Sequence, residues 1–317
     1  MKLLILFTYS ILVSLMLVFL FKKIGRNYHF FDIAPEDDPL KIHTHSISYL
    51  GGSAMLVTTI TMMLVVGFLG ETFQLVKIAA IILALGVVFF LGFWDDLRWK
   101  NLAEPKPYRK LIGLIIFPLV AAAILAKVQI QAVFFQIPLA DYFLTSLLIF
   151  VLVNSINYED GIDGLAGGMS FISLVGFFTL SVADQQLLPG VFSIILAGAI
   201  AGFLAFNFPP AKMFMGDSGA FFLGAALAML SLFFIKPYDI VSAAGIMCIL
   251  GFPVFEGVLT NLRRVANKKS IFLGDRRHFY DVLYLKKGFS IHKTLLICYA
   301  IQAVLVTVGV IIYLSAT

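Results

Sequence analysis

Two adjacent carboxylates, Asp95 and Asp96, follow directly after a long apolar segment. Carboxylates this close repel each other unless a cation or a proton separates their charges. The basic residues that could serve as counterions are Lys100, Lys106, Arg109 and Lys110. The pair is therefore compatible with a cation site and also with a solvated helix end.

A second polar group ends another apolar segment, in the run Asn-Ser-Ile-Asn-Tyr-Glu-Asp-Gly-Ile-Asp-Gly-Leu that begins at Asn154. Three helical residues rotate by about 300°, so Asn154, Asn157 and Asp160 share one broad face. Beside Asp160 and Asp163, glycines such as Gly161 let backbone N–H groups approach a phosphate or a sugar. Interhelical amide bonds and Asp-Gly turns are the plainer alternative.

A third acidic position, Asp217, stands at the predicted start of a helix, beside Ser218 and shortly after Phe214. A structural N-cap is the simplest interpretation of this pair. The longest polar loop then follows the ninth apolar segment and is strongly basic. It could bind lipid headgroups or an anionic substrate. Its charged and histidine residues include Arg263, Arg264, Lys268, Lys269, Asp275, Arg276, Arg277, His278 and Asp281.

The elements that position these residues must lie in a membrane, because 61% of the 317 residues are hydrophobic and only 13% are charged. A spanning helix needs about 20 mostly apolar residues. We predict an all-α integral membrane protein with a single polytopic domain over residues 1–317. Residues 3–21 could be a signal peptide, but we interpret them as the first helix. The ten predicted spans are 3–21, 53–70, 76–94, 111–127, 141–157, 168–183, 189–207, 218–235, 239–256 and 293–314.

The loops on one side of these ten helices carry 19 of the 23 Lys and Arg residues. By the positive-inside rule this side is cytoplasmic, so both termini are predicted to be extracytoplasmic. The same side holds 14 of the 18 acidic residues, although the rule does not require it. A cytoplasmic active site would explain this concentration of carboxylates.

Other functional classes fit less well. Transporters place charged groups near the membrane midplane, whereas Glu256, towards the end of helix nine, is the only charged residue close to a span centre. Cys248 and Cys298 lie in apolar segments and read as core residues. The net charge of +5 is explained by topology and anionic lipid, so we expect no nucleic-acid partner.

Five blocks in order resemble the polyprenyl-phosphate N-acetylhexosamine-1-phosphate transferases, which belong to glycosyltransferase family 4. The resemblance extends from about Asp32 to Ser290. The blocks are Asp38 to His43 with Gly51-Gly52, Asp95-Asp96, Asn154 to Leu165, Phe214 to Gly219, and Asp275 to His278 with Gly288-Phe-Ser.

The resemblance implies transfer of a sugar 1-phosphate from a UDP-N-acetylhexosamine to a polyprenyl phosphate such as undecaprenyl phosphate, releasing UMP. It implies Mg2+ as cofactor, with Mn2+ as an alternative, and a cytoplasmic active site in a bacterial inner membrane. This would be the first membrane step of cell-envelope polysaccharide synthesis. Many relatives form homodimers, and the resemblance extends that expectation to this chain.

The resemblance also implies residue roles. Asp217 and Asp96 would bind the metal, and Asp95 and Asp96 would lie beside the attacking lipid phosphate. Phe214 would stack on uracil. The remaining substrate-binding and catalytic positions are Lys41, His43, Asn154, Asn157, Asp160, Gly161, Asp163, Arg276, Arg277 and His278.

The sequence departs from the family pattern at His278, which is followed by Phe279, Tyr280 and Asp281 where relatives have His-x-His-His. Glu256 also replaces an expected aspartate, and Ser48 an expected proline. Because the full muramoyl-pentapeptide pattern has consecutive histidines, we expect UDP-GlcNAc as donor. A phospho-N-acetylmuramoyl-pentapeptide transferase, a polytopic lipid or solute transporter and a non-catalytic paralogue stay open as alternatives.

Overall fold

The computed structural model describes residues 2–32, 46–69, 75–99, 107–266 and 277–316, which are almost entirely helical. Lys41, His43 and Arg276 lie outside the described residues. Two two-residue strands, β1 (Phe31–Asp32) and β2 (Ile47–Ser48), pair antiparallel. The helices are α1 (Lys2–Asn27), α2 (Gly51–Leu69), α3 (Leu75–Trp94), α4 (Pro107–Ala126), α5 (Pro138–Glu159), α6 (Leu165–Ala183), α7 (Leu187–Asn207), α8 (Gly216–Leu232), α9 (Ile240–Ile249), α10 (Gly251–Ala266), α11 (Phe279–Asp281) and α12 (Ile291–Ser315), with π-helical turns at Asp95–Trp99 and Val282–Lys286.

The described helices are those of an integral membrane protein, as predicted. Eight of them are long and apolar enough to span a membrane, and the count is nine if the bent pair α9 and α10 is one span. The predicted count of ten includes α8, which has only 17 residues. The predicted extracytoplasmic position of both termini stays a prediction.

Helix α8 forms the centre of the bundle, because every one of its residues is buried. Glycines in α8 allow neighbouring helices to approach it closely. A Cβ atom at Gly224 would lie 2.6 Å from the backbone oxygen of Leu152 in α5, and one at Gly219 would lie 2.9 Å from Cα of Gly52 in α2. Such close backbone approaches are typical of membrane helix interfaces. They place the start of α8 among the ends of its neighbours.

The predicted span over residues 239–256 is not one straight helix, because the chain bends by 87° between α9 and α10. Pro253 contributes, since it has no N–H to continue the helical hydrogen bonds. The side chain of Gln302 in α12 satisfies the freed backbone groups. Its Oε1 accepts from Phe252 N at 3.0 Å and its Nε2 donates to Ile249 O at 2.8 Å. Broken membrane helices persist where such partners exist.

Candidate active site

Asp96 caps the N-terminus of α8. Its Oδ1 accepts from the backbone N–H of Asp217 at 2.9 Å, and its Oδ2 accepts from that of Ser218 at 3.0 Å. A carboxylate at this place interacts favourably with the helix dipole and with N–H groups that lack helical partners. Gly216 precedes them with φ +72°, and a Cβ atom there would lie 2.7 Å from Asp96 Oδ2. A residue with a side chain would therefore disturb this cap.

This arrangement corrects the N-cap interpretation of Asp217. The residue at the N-cap position is Met215, and Asp217 lies inside the first turn of α8. The capping carboxylate comes from Asp96, 121 residues earlier in the chain. Asp96, and not Asp217, therefore caps the helix. The cap holds the backbone from which the Asp217 side chain extends.

Lys110, at the start of α4, joins two of the predicted acidic residues. Its Nζ lies 2.5 Å from Asp95 Oδ2 and 3.0 Å from Asp217 Oδ2. On the other side of Asp217, the Asn157 amide donates to Oδ1 at 3.2 Å. Four helix ends, those of α3, α4, α5 and α8, therefore bring these side chains to one place. The solvated-end interpretation of the pair is wrong, since Asp95 is 3% exposed and Asp96 is 1% exposed.

The turn between α5 and α6 fixes the segment that leads into α8. Asp163 Oδ2 accepts from the backbone N–H of Ala211 at 2.9 Å. The backbone N–H of Gly164 donates to the Asn207 side chain at 3.0 Å, and that side chain donates to Met213 O at 2.9 Å. Asp163 thus positions the loop that carries Phe214 and leads to Asp217 in α8.

Phe214 is half-buried, and its backbone links this loop to the first block. Its N–H donates to Ser48 O at 2.8 Å, and its carbonyl accepts from Gly51 N at 2.9 Å. The Gly51-Gly52 pair thereby meets the loop before Asp217. Lys41 and His43, in the connection between β1 and β2, lie outside the described residues.

His278 belongs to a second polar group beside the first. Its Nδ1 lies 2.9 Å from Glu256 Oε1. Its ring packs against Tyr158, the residue after Asn157, with ring centroids 5.6 Å apart. Tyr280, which follows two residues after His278, donates from its hydroxyl to Tyr158 O at 2.8 Å. Tyr158 therefore connects His278 to the group around Asp217.

Some predicted residues contribute less directly. The Asn154 amide donates to Phe150 O within its own helix, at 2.7 Å. Asp160 ends α5, and Gly161 leaves room for Tyr280. Arg277 is exposed, and its carbonyl accepts from the guanidinium of Arg263. The substrate contacts predicted for these residues stay predictions.

Sequence reasoning treated Lys110 only as a counterion and gave Glu256 no role. The signal for Lys110 was its place at the start of the helix after Asp95 and Asp96. The signal for Glu256 was its isolation in an apolar segment. Tyr158 and Tyr280 carried no signal, because aromatic residues are common throughout the chain.

The donor set suits a hard divalent cation. Asp95 and Asp217 converge on a single positive group, and Mg2+ commonly takes one or two protein carboxylates together with substrate phosphates. The described residues contain no group of three or more His, Cys, Asp and Glu side chains that could hold a metal ion by itself, so substrate phosphates would have to complete the ligand set. Each Asp96 oxygen has two lone pairs, so its capping role is compatible with metal ligation.

Comparison with known proteins agrees with the resemblance seen in the motifs. The chain is 29% identical, over its whole length and 86% of the relative, to a Bacillus subtilis (strain 168) protein named "Probable undecaprenyl-phosphate N-acetylglucosaminyl 1-phosphate transferase". A phospho-N-acetylmuramoyl-pentapeptide-transferase of Clostridium botulinum (strain Alaska E43 / Type E3) is 32% identical over 62% of this chain and 63% of its own. One from Bacillus cytotoxicus (strain DSM 22905 / CIP 110041 / 391-98 / NVH 391-98) is 28% identical over 82% of this chain and 80% of its own.

Residues 78–235, which include Asp95, Asp96, Lys110, Asn157 and Asp217, match the family described as "Glycosyl transferase family 4". The matched segment contains both acidic partners of Lys110 and the helix that carries each. Over residues 78–235, about half of its length, the chain carries the segment that defines glycosyl transferase family 4.

Proposed function

We propose that this protein transfers an N-acetylhexosamine 1-phosphate, with GlcNAc-1-phosphate as the favoured group, from a UDP-sugar to a membrane polyprenyl phosphate. The observation that carries the proposal is the convergence of Asp95, Lys110 and Asp217 at the ends of membrane helices. Soluble donor and lipid acceptor could meet at such a place. The names of the relatives support this choice of substrates.

The reaction brings a diphosphate and a phosphate together, so their mutual repulsion must be reduced. Mg2+ held by Asp217 with Asp95 or Asp96, or Mn2+ in its place, would neutralise part of this charge. Lys110 supplies a fixed positive charge at the same place. Arg276, Arg277 and His278 are candidates for contacts with the donor diphosphate, since positively charged donors bind phosphate oxygens strongly.

The acceptor needs little activation. A phosphate monoester has a second pKa near 6 and is mostly dianionic at pH 7. We therefore favour direct attack by an oxygen of the lipid phosphate on the sugar-bearing phosphorus. The new P–O bond forms as the bond to the oxygen that leaves with UMP breaks, and no covalent enzyme intermediate is required. The alternative through an aspartyl intermediate would show ping-pong kinetics.

The charge distribution supports a direction for the site. With 19 of 23 Lys and Arg residues on one side of the predicted spans, the site would face the cytoplasm, where UDP-sugars are made. The bacterial inner membrane is the corresponding location. The product would be the first lipid-linked intermediate of a cell-envelope polysaccharide.

Purified protein with undecaprenyl phosphate, Mg2+ and labelled UDP-GlcNAc tests the proposal. We expect label in the organic phase and an equal amount of UMP. The second candidate donor is UDP-MurNAc-pentapeptide, which the names of the Clostridium and Bacillus relatives favour. Label in lipid from that donor alone would reassign the sugar. Label that enters vesicles unchanged, with no UMP, would favour a transporter and overturn the proposal.

A further inference from the structure

The Lys110 ammonium lies on the carboxylate oxygen of Asp217 that a divalent cation would also use. Its Nζ donates to Asp217 Oδ2 at 3.0 Å, while Oδ1 accepts from the Asn157 amide at 3.2 Å. A carboxylate oxygen has two lone pairs, so the conflict is one of charge. A metal ion on Oδ2 would place two positive charges directly beside the ammonium, and like charges at such a distance repel strongly.

Asp217 is held in place from both ends, whereas Lys110 can move. The backbone N–H of Asp217 is bonded to Asp96 at 2.9 Å, and Asn157 holds its side chain. Lys110 has a flexible four-carbon stem. Its side chain is 29% exposed, against 12% for Asp217 and 5% for Asp95. Metal binding should therefore displace the lysine from Asp217 and leave the carboxylate where it is.

Asp95 provides a place for the displaced ammonium. The distance from Lys110 Nζ to Asp95 Oδ2 is 2.5 Å, which is shorter than the distance to Asp217. The ring of Phe221 in α8, with its centroid 5.4 Å from Nζ, favours a cation at the same place. A divalent cation and Lys110 together carry one more positive charge than Asp95 and Asp217 neutralise. This excess favours the binding of an anionic substrate.

We propose that Lys110 competes with the divalent cation for Asp217 and, when displaced, stays on Asp95. Lys110 thereby lowers the metal affinity of the substrate-free protein while it supports turnover. Asp217 and Asp96 are then the carboxylates left to the metal. The inference rests on the proposed function, because that function places a divalent cation at Asp217.

Binding of Mn2+ to the purified protein, without donor or lipid, tests the competition. Electron paramagnetic resonance measures free Mn2+, and added Mg2+ should displace the bound Mn2+. We expect Lys110→Met to bind Mn2+ at least about 10-fold more tightly than the wild type, because the repulsion removed between charges a few ångströms apart exceeds the free energy of a tenfold change. A lysine that only holds the carboxylates in place predicts unchanged or weaker binding, and that result would overturn the proposal.

Three variants show whether charge at Lys110 acts through Asp217. Arg109→Met removes a charge from the exposed neighbouring position and should leave the affinity unchanged, because salt screens exposed charges. Lys110→Arg keeps the charge and should not bind Mn2+ more tightly. The double variant Lys110→Met/Asp217→Asn should bind no more tightly than Asp217→Asn alone. A gain in affinity that persists in the Asp217→Asn background, or that Arg109→Met reproduces, would overturn the proposal.

A charge-balanced pair of changes keeps the proposal testable if Lys110→Met fails to fold. The double variant Lys110→Met/Asp95→Asn removes one charge of each sign. In the single variant Asp95→Asn, Lys110 still lies on Asp217 and should still compete with the metal. The double variant should therefore bind Mn2+ more tightly than Asp95→Asn, and equal affinities would overturn the proposal.

The binding assay contains no substrate, so its failure is distinguishable from failure of the proposed function. A wild-type protein that transfers sugar phosphate, with no gain in Mn2+ affinity in Lys110→Met, would keep the proposed function and reject the competition. Tighter binding by Lys110→Met in a protein without transferase activity would keep the competition and reject the proposed function. Binding of Mn2+ by neither protein would reject the competition.

Discussion

The carboxylate of Asp96 accepts the backbone N–H of Asp217 at 2.9 Å, so one predicted catalytic residue orients another through a helix end. Asp96 and Asp217 both carry a carboxylate, but the two carboxylates have different kinds of hydrogen-bond partner. Asp96 bonds backbone, whereas Asp217 bonds the side chains of Lys110 and Asn157. The cap and the polar site therefore share one helix turn.

Asp96→Ala should lower stability and turnover together. Loss of a capping carboxylate should reduce the free energy of unfolding by about 1–2 kcal/mol, which thermal unfolding in detergent measures. Asp239→Ala is the matched control, since Asp239 caps α9 by accepting from Ser242 N at 2.9 Å. It should cost similar stability but leave UMP release unchanged. An Asp96→Ala protein with the wild-type unfolding midpoint would contradict the capping contribution.

Lys110→Met should lower kcat by about 10²-fold, as removal of a preorganised donor from an active site commonly does. Without this cation, Asp95 and Asp217 repel each other and the phosphates lose a fixed positive charge. Arg109→Met, at the exposed neighbouring position, should keep wild-type turnover. Lys110→Arg should recover only part of the activity, because a planar guanidinium cannot replace a compact ammonium. Equal turnover of Lys110→Met and Arg109→Met would remove Lys110 from the site.

Asp217→Asn should reduce Mg2+-dependent turnover by about 100-fold, with its circular dichroism unchanged. The change removes the charge and one of two oxygens that a hard cation requires. Binding is measured separately by the rise of the unfolding midpoint with Mg2+ concentration. We expect that rise in the wild type and not in the variant. A midpoint that rises equally in both would place the metal elsewhere.

Gly161→Ala should destabilise the connection between the two polar groups. The added Cβ would lie 2.0 Å from the Tyr280 hydroxyl, which must then leave Tyr158 O. We expect a loss of about 1–3 kcal/mol and reduced turnover. Gly86→Ala is the control, because a Cβ there meets no atom within 4 Å. If both alanine variants unfold at the wild-type temperature, the Tyr280 contact is unimportant.

The sequence predicts the membrane helices well, because a helix that spans lipid must itself be a continuous run of mostly apolar residues. Every predicted apolar window falls on a helix or on the α9–α10 pair. The bend could not be predicted from residues 239–256, since Gln302, whose side chain bonds the backbone groups freed at the bend, is 50 residues from Phe252. Local composition contains no record of that partner.

The candidate site could be predicted from the sequence only in part. Runs such as Asp95-Asp96 identify polar helix ends, and their order along the chain carried the family resemblance. The sequence does not show that Asp95 pairs with Lys110 while Asp96 caps α8. These two roles depend on the three-dimensional arrangement of α3, α4 and α8.

The bend supported by Gln302 also has an evolutionary consequence. An unbroken helix would carry Glu256 onward along the α9 axis by about 1.5 Å per residue, away from His278. Within the described part of the chain, Gln302 hydrogen-bonds Phe252, Ile249 and Ser173, none of which is a predicted site residue, yet the direction of α10 depends on it. In homologous chains, a hydrophobic residue at this position should therefore co-vary with loss of Pro253 or of the Glu256–His278 pair. The residue type at position 302, within the apolar helix α12, would then be selected for its effect on the polar site.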